Sequence, residues 1–377
     1  MRIAIVSRAE NVSGKEIMTL ELGEGLRSEG HSVQYITSFW NDGTYPRRLK
    51  DSGFKVDFMD LGSISATLRW DCMRLTFLQM LRLPRLWESY RRLLRADKPE
   101  HVIHTSWHHL LLLFPLLTSR RDWYWIHEVL PDKAHYGWVF RQLSKRLQGF
   151  VPVSNAVRES LLAIGIPENK IQMIHNGLRD PVNVCADTVR VQSDGIQIGI
   201  VGQVEEWKGH HNLLDAFAKF AHKSPDASVH VFGSGSPGYT NRLKEQAASL
   251  GISNLIFWHG FIDSRAIIYQ QLDLCVVPVP IGATEALPTI AIEAAFFGLP
   301  VVASRLGGLP EIIEDGQTGF LVEAGNIDEL CAKLEQLLTD EVLRHRMGDA
   351  ARQLAQTRFS HVRFVSDFIQ ILASPLA

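Results

Sequence analysis

Two carboxylates with seven residues between them, Glu285 and Glu293, are the best candidates for chemistry in this 377-residue chain. They bracket Pro288-Thr289-Ile290-Ala291, which reads as a helix start. Pro288 suits the first helical position, where its missing N–H costs nothing. Thr289, Ile290 and Ala291 then offer free backbone N–H groups at the positive end of the helix, a ready anion site. Glu293 follows among Ile290, Ile292, Ala294, Ala295, Phe296 and Phe297. A carboxylate in such company is costly to bury unless something hydrogen-bonds it, and ribose hydroxyls would serve. An ordinary helix with one exposed glutamate fits the same residues.

Lys208 is the second candidate. It reads as the start of a helix over 208–220, after the turn Gly202-Gln203-Val204-Glu205-Glu206-Trp207. The helix dipole disfavours a cation there, and a phosphate lodged between the two would remove the conflict. An exposed lysine is the plain alternative. Gly233-Ser234-Gly235-Ser236 and His259-Gly260-Phe261-Ile262 each end a strand, and open α/β sheets bind ligands at the carboxyl ends of strands. Ile126-His127-Glu128 also ends a strand, which raises His127 above His104, His108 and His109 among the 15 histidines. A lone histidine there is still more often structural than functional.

The order of the flanking motifs carries a resemblance. The Glu pair is followed by Gly298-Leu299-Pro300-Val301-Val302, then Gly307-Gly308-Leu309-Pro310-Glu311, then Gly316-Gln317-Thr318-Gly319. The chain resembles the retaining glycosyltransferases of family 4. That likeness implies an α/β fold of two Rossmann-like domains facing across a cleft (GT-B). It implies sugar transfer from a nucleotide diphosphate sugar, most often UDP-linked and in the first instance UDP-glucose. The acceptor would be a glycan or lipid-linked molecule in polysaccharide biosynthesis. No metal or other cofactor is implied, and the sequence has no Asp-x-Asp pair.

By resemblance, Lys208 and the helix start at Pro288, Thr289 and Ile290 meet the leaving diphosphate, as does Gly14. Glu293 holds the ribose and Glu285 contacts the donor sugar. The backbone near Phe261 and Ile262, after the turn at Gly233, holds the base, and His127 stands near the transferred sugar. Catalysis would thus fall to His127, Lys208 and Glu285. Three positions depart from the family: Gln203 replaces its usual Arg, Ser13 precedes Gly14 where Gly-Gly is usual, and Pro288 stands where Gly is commoner. Gln203 cannot bring a permanent charge to a diphosphate. No side chain stands out as a covalent nucleophile, which favours front-face attack with a donor phosphate oxygen taking the acceptor proton. A nucleotide-sugar epimerase and a non-catalytic nucleotide-binding scaffold are the rival readings.

Composition sets the frame. A formal charge of -2 and 46% hydrophobic residues suit a soluble chain of about two domains and speak against a nucleic-acid partner. Cys72, Cys185, Cys275 and Cys331 show no paired spacing, so a reducing cytoplasm is the expectation. The start shows no signal-peptide pattern. The apolar run at 110–117 is too short to cross a bilayer.

Alternating strands and helices predict parallel sheets. Strands are expected at 3–7, 32–37, 55–59, 101–105, 123–126, 150–153 and 171–174, with helices at 16–29 and from Ser154 to 163. After a polar linker at 183–195, strands are expected at 196–201, 228–232, 255–258 and 274–277. Helices are expected at 208–220, 241–250, 265–271, 327–338, 341–358 and 362–372. The expected domains are 1–183 and 184–358, and the family resemblance implies that the helix in 359–377 crosses back to the first. Residues 69–98, from Arg69 to Lys98, hold eight basic residues against three acids. From Pro84 onward this run reads as a helix with an apolar face. Its basic side is either solvated or in peripheral contact with an anionic membrane on the inner face.

Overall fold

The computed structural model describes residues 1–8, 12–62, 70–181 and 195–374. Arg69, Cys185 and all but the last residue of the expected linker lie outside these. The chain forms two compact units: Met1–Gly177 with His361–Ala377, and Leu178–Ser360.

The first unit runs β1 (Arg2–Val6), α1 (Gly14–Ser28), β2 (Ser32–Ser38), α2 (Thr44–Asp51), β3 (Lys55–Met59), α3 (Trp70–Asp97), β4 (His101–His104), α4 (Trp107–Leu112), β5 (Asp122–Ile126), α5 (Ala134–Ser144), β6 (Gly149–Pro152) and α6 (Asn155–Ala163). Its six strands lie in the order β3-β2-β1-β4-β5-β6, and every pair is parallel. Ile3, Ala4, Ile5 and Val6 are all buried, because helices cover both faces of a parallel sheet. The strand order reverses between β1 and β4. Connections leave in opposite directions there, which opens a crevice at the carboxyl ends.

The second unit repeats the plan with β7 (Gln197–Val201), α7 (His210–Phe220), β8 (Ser228–Phe232), α8 (Pro237–Ser249), β9 (Ile256–Gly260), α9 (Arg265–Tyr269), β10 (Leu274–Val277), α10 (Thr289–Phe296), β11 (Val301–Ser304), α11 (Leu309–Ile312), β12 (Gly319–Val322), α12 (Ile327–Thr339) and α13 (Glu341–Arg358). The order β12-β11-β10-β7-β8-β9 is again parallel, and it reverses between β7 and β10. The last helix, α14 (His361–Ala373), belongs to the first unit. Phe364, Val365, Phe368 and Leu372 are its buried face. Val365 and His361 seat against Gly25 of α1, where a Cβ would come within 2.2 Å of Val365.

In the first unit two expectations change. Residues 171–174 form no strand. Gln172 and Ile174 donate to the Phe150 and Pro152 carbonyls at 2.9 and 3.0 Å, but the only bridge is Phe150 with Ile171. Pro152 has no N–H with which to complete the ladder. And α3 does not begin at Pro84 but runs through it.

Candidate active site

In the second unit, the carboxyl ends of β7 and β10 place a cation and a carboxylate together. β7 leaves through Gly202 at φ 134°. The chain then makes a 3-10 turn, Glu206–Lys208, and Gly209 at φ 76° caps α7. Lys208 therefore precedes the helix rather than opening it. Gly209 forces the break, since a Cβ there would lie 1.8 Å from the Pro278 carbonyl oxygen. The Lys208 ammonium donates to Glu285 Oε1 in an ion pair whose side chains are 14% and 10% exposed. Its Nζ also lies 4.2 Å from the centroid of the Trp207 ring.

Glu285 is held by the Gly307-Gly308 turn. Gly308 N–H donates to the Glu285 carbonyl at 2.9 Å. A Cβ on Gly307 would stand 1.9 Å from that same oxygen, and one on Gly308 2.1 Å from the Ala286 carbonyl. The glycine pair is there for backbone contact.

Helix α10 starts one residue later than expected. Pro288 is its N-cap, with ψ 116°. Ala291 N–H donates to the Pro288 carbonyl at 3.2 Å, so the open donors narrow to Thr289 and Ile290. Both residues are half-buried.

Glu293 is buried, and the protein itself answers the cost. Its Oε2 accepts from the Tyr269 hydroxyl at 2.8 Å, and Arg265 Nε lies 3.1 Å from Oε1. Burial, and then the Glu293 charge, push the Tyr269 hydroxyl well above its ordinary pKa, so it stays a donor. The hydrogen-bond partner that a buried Glu293 calls for is thus supplied by Tyr269 and Arg265 without a ligand. A carboxylate has about four lone-pair positions, so acceptor capacity remains. Sequence reasoning missed Arg265 and Tyr269. The signal was present: Arg265 is the first residue of α9, after the cap Ser264. A cation there poses the question raised for Lys208.

The other donor-side candidates are less buried than Glu285 and Glu293. Gln203 is exposed. Phe261 is 66% exposed and Ile262 half-buried, just beyond β9. Gly233 meets backbone, since a Cβ there would lie 1.7 Å from the Gly202 carbonyl.

In the first unit, Gly14 is the first residue of α1. Ser13 caps it: its N–H donates to Glu16 Oε2 at 3.1 Å, and its hydroxyl donates to the same oxygen. Lys15 pairs with Glu16 at 3.3 Å. His127 follows β5 and packs on Trp125 with ring centroids 4.3 Å apart. Burial, reinforced by the Lys15 charge, lowers its pKa well below the usual value, so it is neutral at pH 7. Its Nε2 is buried without a hydrogen-bond partner among the described residues. Glu128, beside it, accepts from the Tyr124 hydroxyl at 3.3 Å. His104 separates from this group, since it bonds the fully buried Asp122 at 2.9 Å inside the sheet. His108 stacks on Trp107, and burial lowers it to about 4. Among the described residues, no group of three or more His, Cys, Asp or Glu could hold a metal ion.

Two doubly wound parallel units define the GT-B class of glycosyltransferase fold. Two family models divide the chain: "Glycosyltransferase Family 4" matches residues 12–180 and "Glycosyl transferases group 1" matches 188–354. The chain belongs to the family 4 glycosyltransferases. Its relatives include D-inositol 3-phosphate glycosyltransferase of Corynebacterium diphtheriae, 35% identical over 41% of this chain and 37% of that protein. The capsular polysaccharide biosynthesis glycosyltransferase CapM of Staphylococcus aureus is 25% identical over 58% and 57%. The matches thus span between 37% and 57% of these relatives' lengths. Among solved structures, a glycosyltransferase from Rickettsia africae superposes with TM-score 0.80 at 23% identity, over 98% of this chain and 97% of that one. Anabaena HepE in complex with UDP and glucose gives 0.78 at 18% identity, over 99% of both. At these identities the structures speak for the fold.

Proposed function

We propose that the chain transfers a sugar, with retention, from a nucleotide diphosphate sugar to a glycan or lipid-linked acceptor in polysaccharide biosynthesis. The donor on this reading is UDP-linked, with UDP-glucose the first candidate. The observation that carries it is the Lys208–Glu285 pair at the reversal point between β7 and β10, next in sequence to the start of α10. Open α/β sheets bind ligands at that point.

The pair supplies an exchange. When a diphosphate arrives, Lys208 has a stronger anion to serve, and Glu285 is released to accept hydroxyls of the donor sugar. Charge grows on the leaving diphosphate in the transition state. Lys208 and the Thr289 and Ile290 N–H groups then stabilise it without a metal ion. Glu293, aimed by Tyr269 and Arg265, accepts from the ribose. His127 is neutral and so gives or takes a single hydrogen bond at a sugar hydroxyl. Its lowered pKa makes it a weak base, which suits a mechanism in which a donor phosphate oxygen takes the acceptor proton. The two rivals, epimerase and scaffold, share the same pairs.

The test is product analysis with a panel of UDP-, GDP- and ADP-sugars, with and without glycan and lipid acceptors, in the presence of EDTA. Release of UDP coupled to a new glycosidic bond of unchanged anomeric configuration is the expected result. An epimerised sugar formed without acceptor, or UDP binding with no turnover on any donor, would overturn the proposal.

A further inference from the structure

The first half of α3 is built inside out. In its second half, Leu86, Tyr90 and Leu93 are buried at helical spacing, while Arg91, Arg92 and Arg95 face outward. One and two turns earlier the same face should be apolar. Instead its buried residue is Gln79, 4% exposed, whose amide donates to the Asp60 carbonyl at 2.7 Å. The outward residues are Trp70, Met73, Leu75, Phe77, Met80 and Leu81, between 44% and 79% exposed. Arg74 and Arg85 lie exposed on the same helix, and Arg82 lies 3.6 Å from Asp60 and over the half-exposed Trp40 ring. Large apolar side chains set among arginines are costly in water and favourable at an anionic lipid surface. There the chains enter the acyl boundary and the guanidinium groups meet headgroups. No helix among the described residues is long and apolar enough to cross a membrane, so α3 would lie along the surface.

We infer that the apolar half of α3 is a docking surface for an anionic lipid bilayer, with Phe77 and Leu81 entering the lipid and Arg74, Arg82 and Arg85 at the headgroups. The arginines at 91, 92 and 95 add long-range attraction. This assigns the insertion to residues 70–81 rather than to the basic residues that the sequence alone singles out. It stands independently of the donor chemistry.

The experiment is flotation of the full chain with vesicles of phosphatidylcholine alone and of equal parts phosphatidylcholine and phosphatidylglycerol, at low and high salt. Wild type should float with the anionic vesicles only, and part of that binding should survive 0.5 M salt. Phe77→Ser with Leu81→Ser should lower partitioning by about tenfold or more at either salt concentration. Both side chains are exposed, so the melting temperature should stay within about a degree. Replacing Arg91, Arg92 and Arg95 by Ser should weaken binding mainly at low salt. Three results would overturn the inference: no binding of wild type to anionic vesicles, binding unchanged in the Phe77/Leu81 variant, or a vesicle-free dimer that the variant dissolves and that never binds lipid.

Discussion

Lys208→Ala separates the structural role of the Lys208–Glu285 pair from its chemical one. The two side chains are 14% and 10% exposed. Removing the ammonium leaves a nearly buried carboxylate without its cation. Breaking such a pair costs about 3–5 kcal/mol when fully buried. The residual exposure of both side chains points to the low end, about 3 kcal/mol. For a cooperative unit of this size that is a fall in Tm of roughly 6–12 °C. Glu285→Gln added to the variant removes the stranded charge and should recover most of that fall. The rate behaves differently. The ammonium acts on charge that develops as the diphosphate leaves, so kcat/KM should drop about a hundredfold or more. The added Glu285→Gln should not restore it. Thermal melts and initial rates of wild type, both single variants and the double variant give the comparison. A Lys208→Ala protein that transfers sugar at the wild-type rate would refute the placement of the diphosphate. One that melts unchanged would refute the energetic account of the pair.

Further expectations follow from the neighbouring geometry. Glu293→Gln should weaken UDP binding by roughly 1.5–3 kcal/mol, and Tyr269→Phe, which removes one donor aimed at Glu293, should cost about 1–2 kcal/mol of stability; titration calorimetry and melts read the two. Gly307→Ala drives a Cβ against the Glu285 carbonyl at a φ of 56°, so it should destabilise by about 1–3 kcal/mol and lower kcat by moving Glu285. Unchanged values of both would remove the glycine turn from the account. Burial holds the His210 and His230 imidazoles at about 4. The unfolded chain takes up protons near pH 6.5 that the folded protein refuses. Stability is therefore full above pH 6.5 and falls as pH drops toward 4, by about 2 kcal/mol per histidine at pH 5. His210→Asn should flatten a plot of Tm against pH over that range, and an unaltered slope would count against it.

Much of the fold is legible in the sequence because parallel strands buried on both faces leave short apolar runs, and Gly or Pro ends them. Leu274 to Val277, stopped by Pro278, is one such run, and Ser154 and Gly165 mark α6 as cleanly. The motif order also pointed to the family. What stayed hidden depended on contacts between distant residues. The helix start at Lys208 was misplaced because Gly209 answers to Pro278, which no local pattern reveals. Arg265 and Tyr269 escaped notice because their partner, Glu293, lies 24 or more positions away. The start of α3 was illegible because its burial runs against its hydrophobicity, with Gln79 inside and Phe77 outside. Pro84 then supplied a false helix start.

The central claim is that the second unit binds a nucleotide diphosphate through Lys208. Titration of UDP and of UMP into wild type and Lys208→Ala tests it most directly. The account predicts that UDP binds wild type clearly more tightly than UMP does. It predicts that this advantage shrinks with added salt and disappears in the variant, because the second phosphate is the group Lys208 serves. Equal affinity of wild type for UDP and UMP, or an advantage for UDP that survives Lys208→Ala intact, would contradict it.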